Sequence, residues 1–228
     1  MGAANLSEVD ARVRDLVMRQ LEWDPAVDAS AIAVAATDRT ITLTGYVDTY
    51  AGKLAAERAA KRVRGVRAVA NGIAVRPKLE RTDADIALDV VRCLELRSTV
   101  PANVQAAVHH GHVTLTGEAM WEFQRRDAEK AVRHVRGVRG VVNRITLAPA
   151  AASRDARHRI IEAFHRYADL DARQVTAHTK GDVVTLSGRV STWLQREIAE
   201  RAAADAPGIR RVDNRIVVEP PVDEDEIC

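Results

Sequence analysis

The 228-residue chain carries 34 basic and 32 acidic residues, and its formal net charge of +2 argues against a dedicated nucleic-acid-binding protein. Hydrophobic residues make up 46% of the chain but aromatic residues only 4%, so the core must be built from aliphatic side chains. The sequence has no run of 18 apolar residues, no N-terminal leader pattern and only two cysteines, so we expect a cytoplasmic protein.

The first segment predicts an amphipathic helix. Apolar residues recur at helical spacing between Val9 and Leu21, with charged residues between them. Ser7 is a suitable N-cap, and the Asp24-Pro25 pair ends the helix because the residue before a proline avoids the helical region.

A β-hairpin, a second helix and a third strand follow. Apolar and small or threonine residues alternate over 32–44, which predicts two strands with one buried face, and Gly45 closes the second strand. The second helix runs from about Thr49 to Arg64 and carries a stripe of alanines. Gly65 stops it in a left-handed C-terminal cap. Alternation over 69–75 predicts the third strand.

This pattern occurs three times. The glycine that ends the second strand, the glycine that caps the second helix and an asparagine in the third strand each recur 72 and then 71 positions later. We therefore predict three tandem domains over 1–78, 79–149 and 150–220, followed by an acidic tail over 221–228. The marker residues are Gly45, Gly117 and Gly188; Gly65, Gly137 and Gly208; and Asn71, Asn143 and Asn214.

The predicted fold class is α+β. Each unit has the order αββαβ, and the helix between strands two and three makes a right-handed crossover that leaves those strands parallel. Each domain should be a three-stranded mixed sheet covered on one face by two helices. The asparagines share parity with the inward-facing residues, so we expect their amides to bond to neighbouring backbone.

A 70-residue αββαβ unit with TLTG or TLSG at a strand end, then RGV and V-x-N-x-I-x-V, resembles the BON domain. That family is named for bacterial osmotically induced and nodulation proteins. The resemblance covers about 9–77, 83–147 and 154–218. It implies a bacterial, non-enzymatic module without a cofactor, whose relatives bind phospholipid surfaces or act in envelope integrity, osmotic stress or potassium sensing.

Arginines surround each capping glycine. They either complement the negative end of the helix dipole or form basic patches for an anionic surface such as phospholipid headgroups. Three patches would add by avidity only if they face the same way. The arginines are Arg62, Arg64 and Arg67; Arg133, Arg136 and Arg139; and Arg210, Arg211 and Arg215.

Five of the eight aromatic residues lie near the junction of strand two and helix two. They either staple the helix start and pack between repeats, or anchor in the headgroup zone of a membrane. Because they sit at the opposite end of the helix from the arginines, one footprint that combines both is disfavoured. They are Tyr46, Tyr50, Trp121, Phe123 and Trp193.

No residue cluster predicts catalysis or a metal. His110 and His112 lie in the second hairpin turn, but two ligands without a carboxylate or thiol make a poor metal site. We find no phosphate-binding loop and no nucleophile–base pair, and Cys93 has the setting of a core residue.

We therefore expect a binding protein that is not an enzyme and uses no cofactor and no nucleic acid. Its expected partners are other proteins or an anionic membrane surface, in a stress-related role that the resemblance implies. Two alternatives stay open. One is a sensor of a small ligand or ion such as potassium, and the other is a scaffold that self-associates through exposed sheet edges.

Overall fold

The computed structural model describes residues 2–148, 160, 175–206 and 209–219, with 2–7 as backbone only. The predicted first helix of the third repeat, Gly208 and the acidic tail lie outside the described residues, apart from Ile160.

The first repeat has the predicted order of elements. Its first helix begins earlier than expected, so Ser7 lies inside α1 and is not its N-cap, because alanines at positions 3 and 4 extend the helix. A single 3-10 turn, Ala29–Ala31, leads into the hairpin. The elements are α1 (Gly2–Trp23), β1 (Ile32–Thr37), β2 (Thr40–Val47), α2 (Tyr50–Arg62), β3 (Ala68–Asn71) and β4 (Ala74–Val75).

The second and third repeats follow the same plan within the described residues. The second repeat comprises α3 (Asp83–Glu95), β5 (Gln105–His109), β6 (His112–Thr116), β7 (Glu118–Ala119), α4 (Glu122–Val132), β8 (Gly140–Asn143) and β9 (Thr146–Leu147). The third comprises β10 (Val175–Lys180), β11 (Val183–Val190), α5 (Trp193–Ala204) and β12 (Arg211–Val218). No helix in the described part of the chain is both long and apolar enough to cross a bilayer.

The sheets confirm the mixed topology. β1 pairs antiparallel with β2, and β2 pairs parallel with β3 and then β4. The second repeat repeats this order, and β11 pairs antiparallel with β10 and parallel with β12. Each repeat therefore contains the crossover helix between strands two and three that the fold class requires.

The third strand is interrupted in the first two repeats, where the sequence predicted a continuous one. At the break, the Asn71 side-chain oxygen accepts the Ile73 amide at 3.2 Å, while its Nδ2 donates to the Lys53 carbonyl oxygen at 3.2 Å and to Glu57 Oε2 at 3.1 Å. Asn143 and Asn214 make the equivalent bonds. One amide side chain therefore ties the third strand to the crossover helix in every repeat.

We expect Asn143→Ala to destabilise the protein by about 2 kcal/mol, because it removes the bond to the Arg125 carbonyl and leaves the Ile145 amide without the partner that the Asn143 side chain provides. Urea titration followed by far-UV circular dichroism measures the change. Asn103→Ala is the matched control, since Asn103 is exposed and should change stability by less than about 0.5 kcal/mol. Equal effects of the two substitutions would contradict this role.

Each repeat has its own aliphatic core. The first is built on Val17, Ile41 and Leu43, and the second on Val90, Val113 and Leu115. The third core contains Val184, Leu186 and Ile216. Alanines on the sheet-facing side of α2, α4 and α5 are fully buried, because small side chains let each crossover helix lie close to its sheet.

Five of the predicted glycines have positive φ angles that side chains other than glycine rarely adopt. The prediction that they end the second strand was wrong for Gly45 and Gly188, which lie inside β2 and β11, because strand pairing continues through them. Gly65 and Gly137 follow the helix ends but are not the caps, which are Val63 and Arg133. Gly208 lies outside the described residues. The φ angles are +112° at Gly45, +134° at Gly117, +132° at Gly188, +88° at Gly65 and +93° at Gly137.

Candidate binding surfaces

The crossover helix of the third repeat packs against that of the first. Lys61, near the end of α2, forms ion pairs with Glu57 at 2.8 Å and with Glu197 near the start of α5. The Trp193 ring packs on the core of the first repeat, and its Nε1 donates to the Arg67 carbonyl oxygen. The N-terminal half of α5 therefore meets the C-terminal half of α2.

The first repeat meets the second in the same way. Tyr50, at the first position of α2, packs against the core of the second repeat. Burial raises the pKa of the Tyr50 hydroxyl, and the Glu129 carboxylate raises it further, whereas a backbone hydrogen bond from Val141 opposes them. Tyr50 and Trp193 occupy equivalent positions in their repeats, so each of these two interfaces has an aromatic residue at the first position of the crossover helix.

The second repeat meets the third through an ion pair between Arg126 on α4 and Asp205 at the end of α5. The Arg126 Nε is buried without a hydrogen-bond partner among the described residues. Arg126 is the repeat equivalent of Glu197. The N-terminal half of each crossover helix thus contacts the C-terminal half of another crossover helix. Three such head-to-tail contacts close a ring, which we call the repeat ring.

The repeat ring changes how the predicted aromatics relate to the arginines. Within one helix they lie at opposite ends, but across an interface Trp193 meets Arg67, and Tyr50 lies close enough to Arg133 for each to influence the pKa of the other. Two aromatic residues therefore lie near arginines of another repeat, which reasoning from a single helix did not include.

The other predicted aromatics lie outside these contacts. Trp121 is the N-cap of α4, where the Gln124 side chain accepts its amide at 3.1 Å, and Phe123 is 41% exposed. Tyr46 lies under the Arg76 guanidinium, 4.9 Å from the ring centroid.

Eight of the nine predicted arginines fall into two groups. Three have carboxylate partners: Arg62 pairs with Asp24 at 3.2 Å, Arg210 with Asp182 at 3.5 Å and Arg215 with Asp213 at 2.7 Å. Five others are exposed and have no ion pair in the part of the chain that the structure describes. We call these the cap-loop arginines, since four lie between the second helix and the third strand and the fifth, Arg211, is the first residue of β12: Arg64, Arg67, Arg136, Arg139 and Arg211.

The C-terminal end of the cap loop lies beside the hairpin turn in all three repeats. The amides of Arg67, Arg139 and Arg210 donate to the turn carbonyls of Arg39, Gly111 and Asp182 at 2.8 to 2.9 Å. Arg64 and Arg136 are therefore repeat-equivalent, and so are Arg67 and Arg139. Their counterpart in the third repeat is Arg210, which pairs with Asp182, whereas Arg211 has no arginine at its equivalent positions.

Carboxylates near two of these hairpin turns accept hydrogen bonds from backbone amides of the turns. Asp10 accepts the amides of Asp38 and Arg39, and Asp83 accepts those of His110 and Gly111 at 2.7 and 2.8 Å. The bond from Gly111, followed by that from His110, lowers the pKa of Asp83. No group of three metal-ligating side chains occurs among the described residues.

Arg133 differs from the other predicted arginines. It is half-buried between repeats, and its Nε lies 3.2 Å from His134 Nε2. Burial lowers the pKa of Arg133, and the guanidiniums of Arg58 and Arg201 lower it further, while Glu129 opposes them. Reasoning from sequence missed Arg58 and Arg201, although each repeat has a basic residue at this position, with Lys130 in the second.

Comparison with known families matches the BON domain at residues 9–77, 82–149 and 153–220. A search of curated proteins found no significant match. Among solved structures, the chain is similar to CdsD, a structural protein of the type III secretion system of Chlamydia trachomatis, at 14% identity and a TM-score of 0.25, covering 93% of this chain and 94% of that one. A second CdsD structure, of its C-terminal domain, gives 13% identity and a TM-score of 0.26, covering 90% and 96%. TM-scores this low carry no argument about arrangement or function.

Proposed function

Because the chain belongs to the BON domain family, whose domains are generally non-enzymatic binding modules, we propose that it binds anionic phospholipid surfaces through its cap-loop arginines. The proposal places it as a peripheral protein of the cytoplasm with a stress-related role. The cap-loop arginines supply the charge, and the repeat ring supplies the geometry.

The repeat ring is the observation that carries this proposal. In repeats that are related by rotation about one axis, equivalent points lie in one plane, and the head-to-tail contacts of the three crossover helices favour such an arrangement. The cap loops are equivalent points, since each lies beside its own hairpin turn. The ring thus supports the condition under which three weak basic patches act together on one flat surface.

The energies are adequate for reversible binding. Each basic residue near an anionic membrane contributes about 1 kcal/mol, so a few cap-loop arginines that reach the surface supply several kcal/mol before the cost of association. The attraction falls within a Debye length, about 8 Å at physiological ionic strength, so binding should weaken steeply with salt.

Vesicle flotation tests the proposal. We expect the wild-type protein to float with phosphatidylserine-containing vesicles at low salt and not with neutral ones. The Arg67→Glu/Arg139→Glu variant should bind at least about tenfold more weakly, because it reverses two of the charges that face the lipid.

The matched control is Arg19→Glu/Arg144→Glu, which makes the same net-charge change at exposed residues outside the cap loops. Equal loss in both variants, or no flotation of the wild type, would overturn the proposal. Light scattering on the same samples then tests self-association, which would favour a scaffold.

A further inference from the structure

The three junctions of the repeat ring differ in their contacts. At two of them, the crossover helix begins with an aromatic residue that packs on the core of another repeat: Tyr50 on the second core and Trp193 on the first. The second repeat has Glu122 at this position, and its carboxylate pairs with Arg125 of the same helix at 2.8 Å. The junction between the second and third repeats therefore lacks an aromatic anchor at the first position of its helix.

The apolar residues around the third core agree with this difference. The partly buried hydrophobic residues that pack on that core are Ile198, Val212 and Val218, and all three belong to the third repeat. Phe123, next to Glu122 on α4, stays 41% exposed. Within the described ranges, the second repeat thus places no side chain on the third core in the way that Tyr50 and Trp193 pack on the other two.

An ion pair joins this junction instead. Arg126 on α4 pairs with Asp205 at the end of α5, and the two side chains are 22% and 34% exposed. The Arg126 Nε is buried without a hydrogen-bond partner in the part of the chain that the structure describes, so this atom has lost water without gaining a bond. The cost of desolvating two charges offsets most of their attraction. This junction is therefore the weakest of the three.

The charges also determine which helices can meet. The fifth residue of the crossover helix is Arg126 on α4 and Glu197 on α5, and each pairs with an opposite charge, Asp205 and Lys61, near the end of another helix. If α4 moved onto α2, Arg126 would face Lys61, and like charges repel. Once α4 leaves α5, it therefore has no second binding place on the end of α2.

We propose that the repeat ring opens between the second and third repeats, and that the Arg126–Asp205 ion pair is the latch that keeps it closed. In the open state, Trp193 still holds the third repeat on the first, and Tyr50 still holds the first repeat on the second. The chain thus has two arrangements, a closed ring and an open row of repeats, which differ at one junction. Neither Arg126 nor Asp205 is a cap-loop residue, so this inference stands or fails independently of lipid binding.

Single-molecule energy transfer on the full chain tests the inference. In a Cys93→Ser/Cys228→Ser background, donor and acceptor dyes are attached to cysteines introduced at Arg144 in the second repeat and Lys180 in the third, both of which are exposed. The wild type should be closed in most molecules, with an open, low-transfer population of about 1–10%, the usual range for a minor state.

Two charge variants test the latch. Arg126→Glu sets two carboxylates against each other and should raise the open population at least about tenfold or make it dominant. Arg126→Glu/Asp205→Arg restores an ion pair of reversed polarity and should return the open population to within about twofold of the wild type. Circular dichroism of both variants should match the wild type, because no core residue changes.

Glu122→Trp tests the missing anchor. It gives α4 the residue that α5 carries at its first position, so it should lower the open population at least about threefold. Glu122→Gln is the matched control, since it removes the same ion pair with Arg125 without adding a ring, and it should leave the open population unchanged.

A second pair of dyes, at exposed Arg19 in the first repeat and at Lys180, reports the junction that Trp193 holds. Its transfer should stay high in every variant. The inference is overturned if the open state appears between this second pair instead, if Arg126→Glu changes transfer no more than Glu122→Gln does, or if the charge swap fails to close the ring. An unchanged open population in Glu122→Trp would equally overturn it, because the junction would then already be as tight as the others.

Discussion

Gly45→Ala should destabilise the protein far more than Gly181→Ala. Both glycines have positive φ, +112° and +62°, so both substitutions carry backbone strain of roughly 1–2 kcal/mol. They differ in space: a Cβ on Gly45 would stand 1.9 Å from the Ala31 carbonyl oxygen, whereas nothing lies within 4 Å of one on Gly181.

The Gly45 clash cannot be relieved cheaply. The Ala31 carbonyl lies just before β1, and β1 pairs with β2 in a register that places Ile32 opposite Gly45. Moving that carbonyl would shift the hairpin, which carries Ile41 and Leu43 into the core. We therefore expect a total cost of about 3–5 kcal/mol for Gly45→Ala, against about 1 kcal/mol for Gly181→Ala.

Urea titration of Gly45→Ala, Gly181→Ala and Gly117→Ala measures how much stability each variant loses. A Cβ on Gly117 would lie 2.8 Å from the Asn103 carbonyl oxygen, so this variant should fall between the other two. Equal midpoint shifts for Gly45→Ala and Gly181→Ala would show that the φ angle alone sets the cost and that the close approach has no effect.

The sequence was sufficient for the fold of one repeat because the relevant signals are local and occur three times. The alternation over 40–44 and the glycines at positive φ angles depend on backbone geometry within the repeat. The strand break after Asn71 was not predictable, since Asn214 makes the equivalent amide bonds in the third repeat and β12 is continuous there. The alternation of residues along the strand correctly predicted that the asparagine points inward. It did not predict that the side chain contacts the crossover helix.

The repeat ring was not predictable because its contacts differ in chemistry at equivalent positions. The first position of the crossover helix is Tyr50, Glu122 and Trp193 in the three repeats. Two of these pack on another repeat's core, while Glu122 pairs with Arg125 at 2.8 Å within its own helix. A search for repeated residues finds what the repeats share and misses the differences that join them.

The arginines show the same limit. Their clustering in sequence grouped Arg133 with Arg136 and Arg139, yet the structure sets Arg133 between repeats and leaves the other two exposed. The interaction of a positive charge with the C-terminal end of a helix depends on distance from that end, so it does not distinguish Arg133 from Arg136 and Arg139. The three arginines differ because the repeat ring covers Arg133 with a neighbouring repeat and leaves Arg136 and Arg139 exposed to solvent.

Trp193→Ala should open the repeat ring between the third repeat and the first. The substitution removes the indole from the first repeat's core, its hydrogen bond to the Arg67 carbonyl oxygen and its stacking with the Arg196 guanidinium, 5.2 Å from the ring centroid. Truncation of a packed aromatic residue costs about 3–5 kcal/mol when fully buried, so we expect about 2–3 kcal/mol at this partly buried site.

The stronger expectation concerns cooperativity. Repeats that share interfaces unfold together, and loss of interface energy separates them. Chemical denaturation of the wild type should give one transition by tryptophan fluorescence and by circular dichroism, whereas Trp193→Ala should give two by circular dichroism. Trp193→Phe, which keeps a ring but loses the N–H donor, should stay closer to the wild type.

Phe123→Ala is the matched control, because Phe123 lies at the second position of α4 and is 41% exposed. It should leave a single transition and cost less than about 1 kcal/mol. If Trp193→Ala also unfolds in one transition, with only a small loss in the free energy of unfolding, the contact between α5 and α2 does not couple the repeats.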